Sequence, residues 1–471
     1  MRDLRQGLIA ALIANLLSKP IWLLADAFVQ DRIGHQAYGL IGALLGLGQW
    51  ASALADWGLY ALVTREMARS RHQYPHLSQH TLSLKLILTL LSAGAFLLLG
   101  YLLGYRGHSF SWLSLLLGYQ LSLSYLQYFR SFFQGDQRFQ IDALLSALEK
   151  GLVLLLLFLL WDRLAGDLYV RILFTAGVGS AGVAGLWVIR RYGLPTLRIE
   201  GAVLWETFRR MTPFALMGYA TAFNERLNQI LLERWIGSYE NGLYWGAYRW
   251  FSAAMMYLWI VMPVFFARFA LLGRRRSSQL WGTLRWGHLV ASLPLIAVAG
   301  AFLALPDAFL LLFSHSSPAE KLHMQAILQV LAIPLVLNGL SIIYSTYLTA
   351  VGYEWAALGL MVAASLVNGL SSGLLLPLYK GVGAALSLGL SYATYGVGFI
   401  LLLERVGPVP VPWTLLGRLA GFAVSYGFSA WGLSHLELAL PYKVLLLMGS
   451  LAGWSWLWKI PQLWRRASRH R

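Results

Sequence analysis

The sequence predicts an all-α polytopic membrane protein of about 14 transmembrane helices, built as two pseudo-symmetric six-helix lobes around a central cavity with two further helices at the C-terminus. Three observations predict it. Of 471 residues, 58% are hydrophobic and only 12% charged, with a mean hydropathy of +0.60, too apolar for a chain that must face water. Apolar windows of about 20 residues, the length needed to cross a bilayer, recur along the whole chain. One hairpin near the N-terminus is rebuilt half-way along.

The remaining composition narrows the class. There is an excess of 37 Lys+Arg over 20 Asp+Glu, a net charge of +17. The excess falls in short clusters between apolar runs rather than on one domain. That pattern points to membrane topology and anionic membrane lipids, and away from nucleic acid. The absence of cysteine excludes disulfides and thiolate metal sites. The basic start and apolar run MRDLRQGLIAALIANLL imitates a signal peptide, but the apolar pattern continues to Val29 without a small-residue cleavage site.

In chain order the windows fall at 7–30, 37–62, 82–103, 110–133, 141–161, 168–189, 213–236, 243–266, 285–304, 324–349, 355–376, 381–403, 413–435 and 442–460. Lys and Arg on alternate sides number 25 against eight, with Lys85 counted on the richer side at the foot of the third span. Cytoplasmic segments carry such an excess, so both termini are expected in the cytoplasm.

The hairpin DRIGHQAYGLIGA at Asp31 to Ala43 returns as ERWIGSYENGLYWGA, 203 positions later, pairing Gly34 with Gly237 and Gly39 with Gly242. This divides the chain into an N-terminal lobe (1–192), a cytoplasmic linker with an amphipathic stretch (193–212), a C-terminal lobe (213–404), and the last two spans with a basic tail (405–471). Six spans per copy is an even number, so the copies share orientation and relate by an axis along the membrane normal.

Polar groups inside spans are the candidate site, because a charge at a helix centre costs roughly 2.5–3.5 kcal/mol even on the lenient scale. By helical spacing, the first span aligns Asn15, Lys19 and Asp26, and the second aligns Gln49 and Asp56. The fourth aligns Gln120, Ser124 and Gln127, with Arg130 near its cytoplasmic end. In the second copy, Glu225 and Asn228 share a face of span 7 beside Arg226, Arg249 lies on span 8, and Asn338 with Ser341 and Ser345 lies on span 10. Spans 3, 9, 6 and 12 show no comparable stripe. The polar faces therefore fall on spans 1, 2 and 4 and on their repeat partners, as two lobes enclosing water would require. Lys19, Arg226, Arg249 and Arg130 are the candidate anion-binding residues, and the others the polar lining. Each has a plainer reading. Lys19 and Arg226 could sit in internal ion pairs, Arg226 with Glu225 or Glu233. Arg249 could snorkel outward, and Asp26 and Asp56 could be helix-end charges.

No GxxxxGK[ST] loop, no HExxH pair and no soluble domain is present to host catalysis, so neither a cofactor nor an enzyme is expected. His72, His76 and His80 recur at i+4 but read as a solvated basic loop.

Taken together, IGHQAYGL, LADWGLYALVTREMAR (Leu54 to Arg69), FRSFFQGDQRFQIDALLSALEK (Phe129 to Lys150) and TPFALMGYATAFNERLNQILLERWIGSYENGLYWGAYR resemble the polysaccharide (O-antigen, Wzx-type) flippases of the multidrug/oligosaccharidyl-lipid/polysaccharide (MOP) exporter superfamily, over about the first 350 residues. The resemblance implies an alternating-access carrier in the bacterial cytoplasmic membrane. Its cargo would be an undecaprenyl-diphosphate-linked oligosaccharide, its cavity cationic, and its coupling to H+ or Na+ left open. Asn228 stands where the family pattern has Asp, which removes a proton-exchanging group from that position. The rivals are a flippase for the peptidoglycan lipid precursor, a MATE-like drug/cation antiporter, which needs a carboxylate-dominated pocket, and an integral-membrane polymerase or ligase, which favours a large outward loop.

Overall fold

The structure is a computed structural model that describes residues 21–69, 74–194, 197–273, 277–407 and 410–463. All regular structure among these residues is helical. Eight described helices are long and apolar enough to cross a membrane by length and composition. The expected positions Asn15 and Lys19 lie outside the described residues.

The first packed unit runs to Gly242. The described part of α1 (21–33) leads through Gly34 into α2 (His35–Asp56). The window 37–62 is not one helix. At Trp57 the backbone turns left-handed (φ 42°), its N–H satisfying the Ala53 carbonyl, and Gly58 follows at φ 80°. This is a helix C-terminus of the kind a Trp-Gly pair after Asp56 permits. A separate helix, α3 (Leu59–Arg69), then begins. Next come α4 (Tyr74–Leu102), α5 (Gly107–Gly135), α6 (Phe139–Leu160), α7 (Gly166–Tyr192) and α8 (Gly201–Trp235). Residues 201–212, read from sequence as part of a linker, form the first turns of α8.

Helix α4 begins at Tyr74, eight residues before the apolar window does. It draws in polar residues because their hydroxyls are satisfied on the helix itself, Thr81 donating to the Leu77 carbonyl at 2.6 Å and Ser83 to that of Gln79 at 2.7 Å. The core of this unit is apolar and aromatic, with Leu126, Phe132, Phe133 and Leu145 packed on Val63, Met67 and Leu84.

The rebuilt hairpin has a tertiary counterpart in this unit. Gly34 and Gly237 both take positive φ, 86° and 127°, so each Ile-Gly pair enters the next helix through a backbone conformation that favours glycine. The second copy opens α9 (Ser238–Leu272). The crossing of the two copies is reciprocal. A Cβ on Gly39 would lie 1.8 Å from the Ser238 carbonyl oxygen, and one on Gly242 2.0 Å from that of His35. Ser238 is the repeat partner of His35. Asn241 Nδ2 donates to the Gly39 carbonyl at 2.7 Å, and Gln30 Nε2 to that of Gly242 at 2.6 Å.

The second packed unit is residues 243–471. It contains the rest of α9, then α10 (Ser278–Ala304), the short α11 (Pro306–Phe309), α12 (Pro318–Ala350), α13 (Glu354–Val406), α14 (Trp413–Ser434) and α15 (Leu440–Leu457). Helix α12 starts on a capping box in which Ser317 and Glu320 satisfy each other's backbone N–H. The 53 residues of α13 are two helices joined across Lys380 (φ 51°, ψ −126°), which matches the break between the windows 355–376 and 381–403. Residues of α14 and α15 share a core with α10, formed by Leu289, Ile296, Leu419, Phe422, Tyr426 and Leu447.

Candidate functional site

Within the first unit, α2 and α8 place Arg226 beside Gln49. Small and flat groups allow the approach, since Gly46 leaves room for Ile230 and the Arg226 stem. Trp50 stacks on Phe223 with ring centroids 4.5 Å apart and donates to the Ala222 carbonyl at 3.1 Å. The half-buried Arg226 then donates from Nε to Gln49 Oε1 at 2.6 Å and from a terminal nitrogen to Gln229 Oε1 at 3.0 Å. An amide oxygen orients a guanidinium without cancelling its charge. Glu225, next in sequence, also interacts with it electrostatically. Asn228, one turn from Glu225, is buried.

The other expected residues of this unit go to different places. Asp26 is held by two phenols, accepting from Tyr38 at 2.5 Å and from Tyr169 at 3.2 Å. Arg130 is ion-paired, with Nε 2.7 Å from Asp142 Oδ1, and Gln134 donates to the same carboxylate oxygen at 3.0 Å. Gln120 packs across α2 at Gly48, and Gln127 is half-buried on α5. Glu149, a buried carboxylate, accepts from the Tyr119 hydroxyl at 2.7 Å and pairs with Lys150 at 3.1 Å.

Two sequence expectations need correction here. Lys85 was counted as a cation at the foot of span 3. Its side chain is instead 0% exposed within α4, with Nζ 3.5 Å from Asp56 Oδ1 and donating to the Ser124 hydroxyl. Span 3 was also expected to lack a polar stripe, yet Ser78, Thr81, Lys85 and Ser92 are all buried on α4. Ser92 donates to the Ala51 carbonyl at 2.6 Å, and Thr81 bonds the Tyr128 hydroxyl at 2.8 Å. The spacing 78, 81, 85, 92 is helical and was available in the sequence. Its first two members precede the apolar window, which begins at 82.

The loop after α4 meets the last turn of α8. Tyr105 donates to Glu233 Oε2 at 2.5 Å, and Ser238 donates to Oε1 at 3.0 Å. Burial and the Glu233 carboxylate push the Tyr105 phenol well above its ordinary pKa, so it stays a donor.

In the second unit Arg249 is 3% exposed, its guanidinium 5.5 Å from the Phe313 ring centre, so it is buried rather than reaching outward. Asn338 on α12 is also 3% exposed and donates to Met255 Sδ at 3.3 Å. It lines a cavity of about 590 Å³ between α9 and α12. Its repeat-stripe neighbour Ser345 bonds Tyr395 at 2.7 Å. Ser292 on span 9, another span expected to be without a stripe, donates to the Gly339 carbonyl at 2.9 Å beside the buried His288.

Comparison with known proteins places this architecture. No curated protein matches the chain. Among solved structures, the lipid II flippase MurJ in an inward closed conformation superposes with a TM-score of 0.74 at 12% identity, covering 97% of this chain and 100% of that one. An inward-facing multidrug resistance MATE family transporter of the MOP superfamily gives 0.66 at 15% identity, covering 84% and 98%. An outward-facing one gives 0.57 at 15%, covering 85% and 93%. These likenesses establish the fold. The family model for polysaccharide biosynthesis proteins matches residues 4–270. The chain is a multi-pass membrane protein with the MOP-superfamily fold, and it belongs to the polysaccharide biosynthesis protein family.

Proposed function

We propose that the protein is a flippase that carries an undecaprenyl-diphosphate-linked oligosaccharide from the cytoplasmic to the outer leaflet by alternating access. The observation that carries this reading is the guanidinium of Arg226, held in mid-helix by the amide oxygens of Gln49 and Gln229 at 2.6 and 3.0 Å. A diphosphate carries about two negative charges and cannot enter hydrocarbon bare. An oriented guanidinium replaces its hydration with charge-assisted bonds of fixed direction. Arg249 is proposed as the second cation on the basis of its repeat-related span, and Lys19 as the third from its place in the sequence. The prenyl tail stays in the bilayer while the head moves. A membrane potential negative inside favours that outward movement, by about 2.3 kcal/mol per charge per 100 mV. On this reading the protein works in the bacterial cytoplasmic membrane with both termini inside, where the Arg-rich loops attract an anionic lipid donor.

The test is translocation by proteoliposomes of an undecaprenyl-diphosphate oligosaccharide made by the host's own glycosyltransferases. Arg226→Ala should reduce transport more than tenfold, equivalent to about 1.4 kcal/mol or more, at unchanged membrane abundance. Arg226→Lys should retain part of it, because charge survives while the forked geometry does not. Wild-type transport by Arg226→Ala would overturn the proposal.

A further inference from the structure

We infer that the groove between α9 and α12 is a binding subsite for an uncharged sugar ring. This rests on the lipid-linked oligosaccharide reading and deepens it, since it assigns the glycan a place apart from the diphosphate. The groove encloses about 590 Å³, within the roughly 300–1,000 Å³ of small-ligand sites. One stripe of α9 supplies Met255, Trp259, Met262 and Phe266, and one stripe of α12 supplies Asn338, Ser345, Thr346 and Thr349.

The chemistry of these walls selects the occupant. None of the groove's lining residues is charged among the described residues, so these walls offer nothing to a phosphate and no carboxylate to a cationic drug. An acyl or prenyl chain would suit the thioethers and rings, but it would leave Asn338 stranded. That side chain is 3% exposed, and its Oδ1 has no hydrogen-bond partner among the described residues. Its Nδ2 faces only a sulfur, Met255 Sδ at 3.3 Å, a weak acceptor. A buried carbonyl of this kind requires a donor. Trp259, 55% exposed, lines the same groove and brings an indole ring to it. A group with hydroxyl donors on its rim and C–H bonds on one flat face satisfies both walls together, and a pyranose is such a group. Aromatic faces of this kind supply contact area without a charge requirement.

The experiment measures binding of two synthetic probes to the purified full-length protein in nanodiscs. The probes are a short-chain polyprenyl diphosphate and the same lipid bearing one N-acetylhexosamine. The wild type should hold the glycosylated probe about tenfold tighter. Asn338→Leu and Trp259→Ala should erase that difference while leaving the bare lipid's Kd within about twofold. Thr349→Val, a near-isosteric change, should reduce the difference and keeps the test available if Trp259→Ala does not fold. Equal wild-type affinity for the two probes, or variants that leave the difference intact, would overturn the sugar subsite alone. Variants that weaken the bare lipid equally would make the groove a hydrocarbon site and also overturn it. Failure of the wild type to bind either probe would remove the lipid-linked reading and this inference together.

Discussion

Replacing Lys85 tests whether buried charge in the first unit is structural. Its ammonium is 0% exposed and 3.5 Å from Asp56, whose side chain keeps 26% exposure. At that separation and an effective dielectric of about 20, the gross attraction is about 5 kcal/mol, much of it offset by desolvation. Removing one partner of a buried pair strands the other and costs about 3–5 kcal/mol. Lys85→Met leaves Asp56 partly hydrated, so its cost should fall at the lower end, about 3 kcal/mol. Asp56→Asn leaves a fully enclosed ammonium and should cost more. The double variant Lys85→Met, Asp56→Asn removes both charges and should lie within about 1–2 kcal/mol of wild type, because apolar or neutral replacement of a buried pair is often nearly neutral. The assay is SDS titration in mixed micelles followed by circular dichroism, read as a double-mutant cycle. A double variant as unstable as either single one, or a Lys85→Met change under about 0.5 kcal/mol, would refute the reasoning.

Four further predictions rest on other close contacts in the first unit and on one open position there. Gly39→Ala and Gly242→Ala push a methyl into a backbone carbonyl that cannot move aside. Each should cost at least about 1–3 kcal/mol, read as lost folded yield on size exclusion. Gly94→Ala, with open space at its Cβ, should be neutral or slightly stabilising by up to about 1 kcal/mol. Arg130→Ala strands Asp142 and should destabilise by roughly 3 kcal/mol, with Asp142→Asn restoring most of it; a loss of transport without a loss of stability would instead place Arg130 at the substrate. Tyr105→Phe removes a bond to a carboxylate and should cost about 1.5–3 kcal/mol in the same SDS titration, while Ser238 still holds Glu233.

The helical class and most helix positions were legible in the sequence, because bilayer thickness and apolar runs fix them without reference to tertiary partners. The 203-residue repeat even marked which glycines meet. Gly39 and Gly242 recur because only a residue without a side chain fits where each helix crosses the other's first turn. The break at Trp57 was hidden inside a continuous apolar window, where hydropathy does not register one left-handed residue.

Tertiary structure alone decided what each polar residue does. Asp26, Arg130 and Arg226 look alike in a sequence, as polar groups in apolar helices. In space, two tyrosines donate to the first, a carboxylate pairs with the second, and the third donates to two amide oxygens beside Glu225. Lys85 reads as a cation at the cytoplasmic foot of its span, since hydropathy does not show that Asp56 and Ser124, on other helices, enclose it. The groove at Asn338 had half a signal, the stripe on α12. Its other wall, the thioethers and Trp259 of α9, reads as ordinary apolar helix until the two faces are brought together. Periodicity fixes which residues share one helix face, whereas partner identity depends on contacts between segments far apart in the chain, which no local pattern encodes.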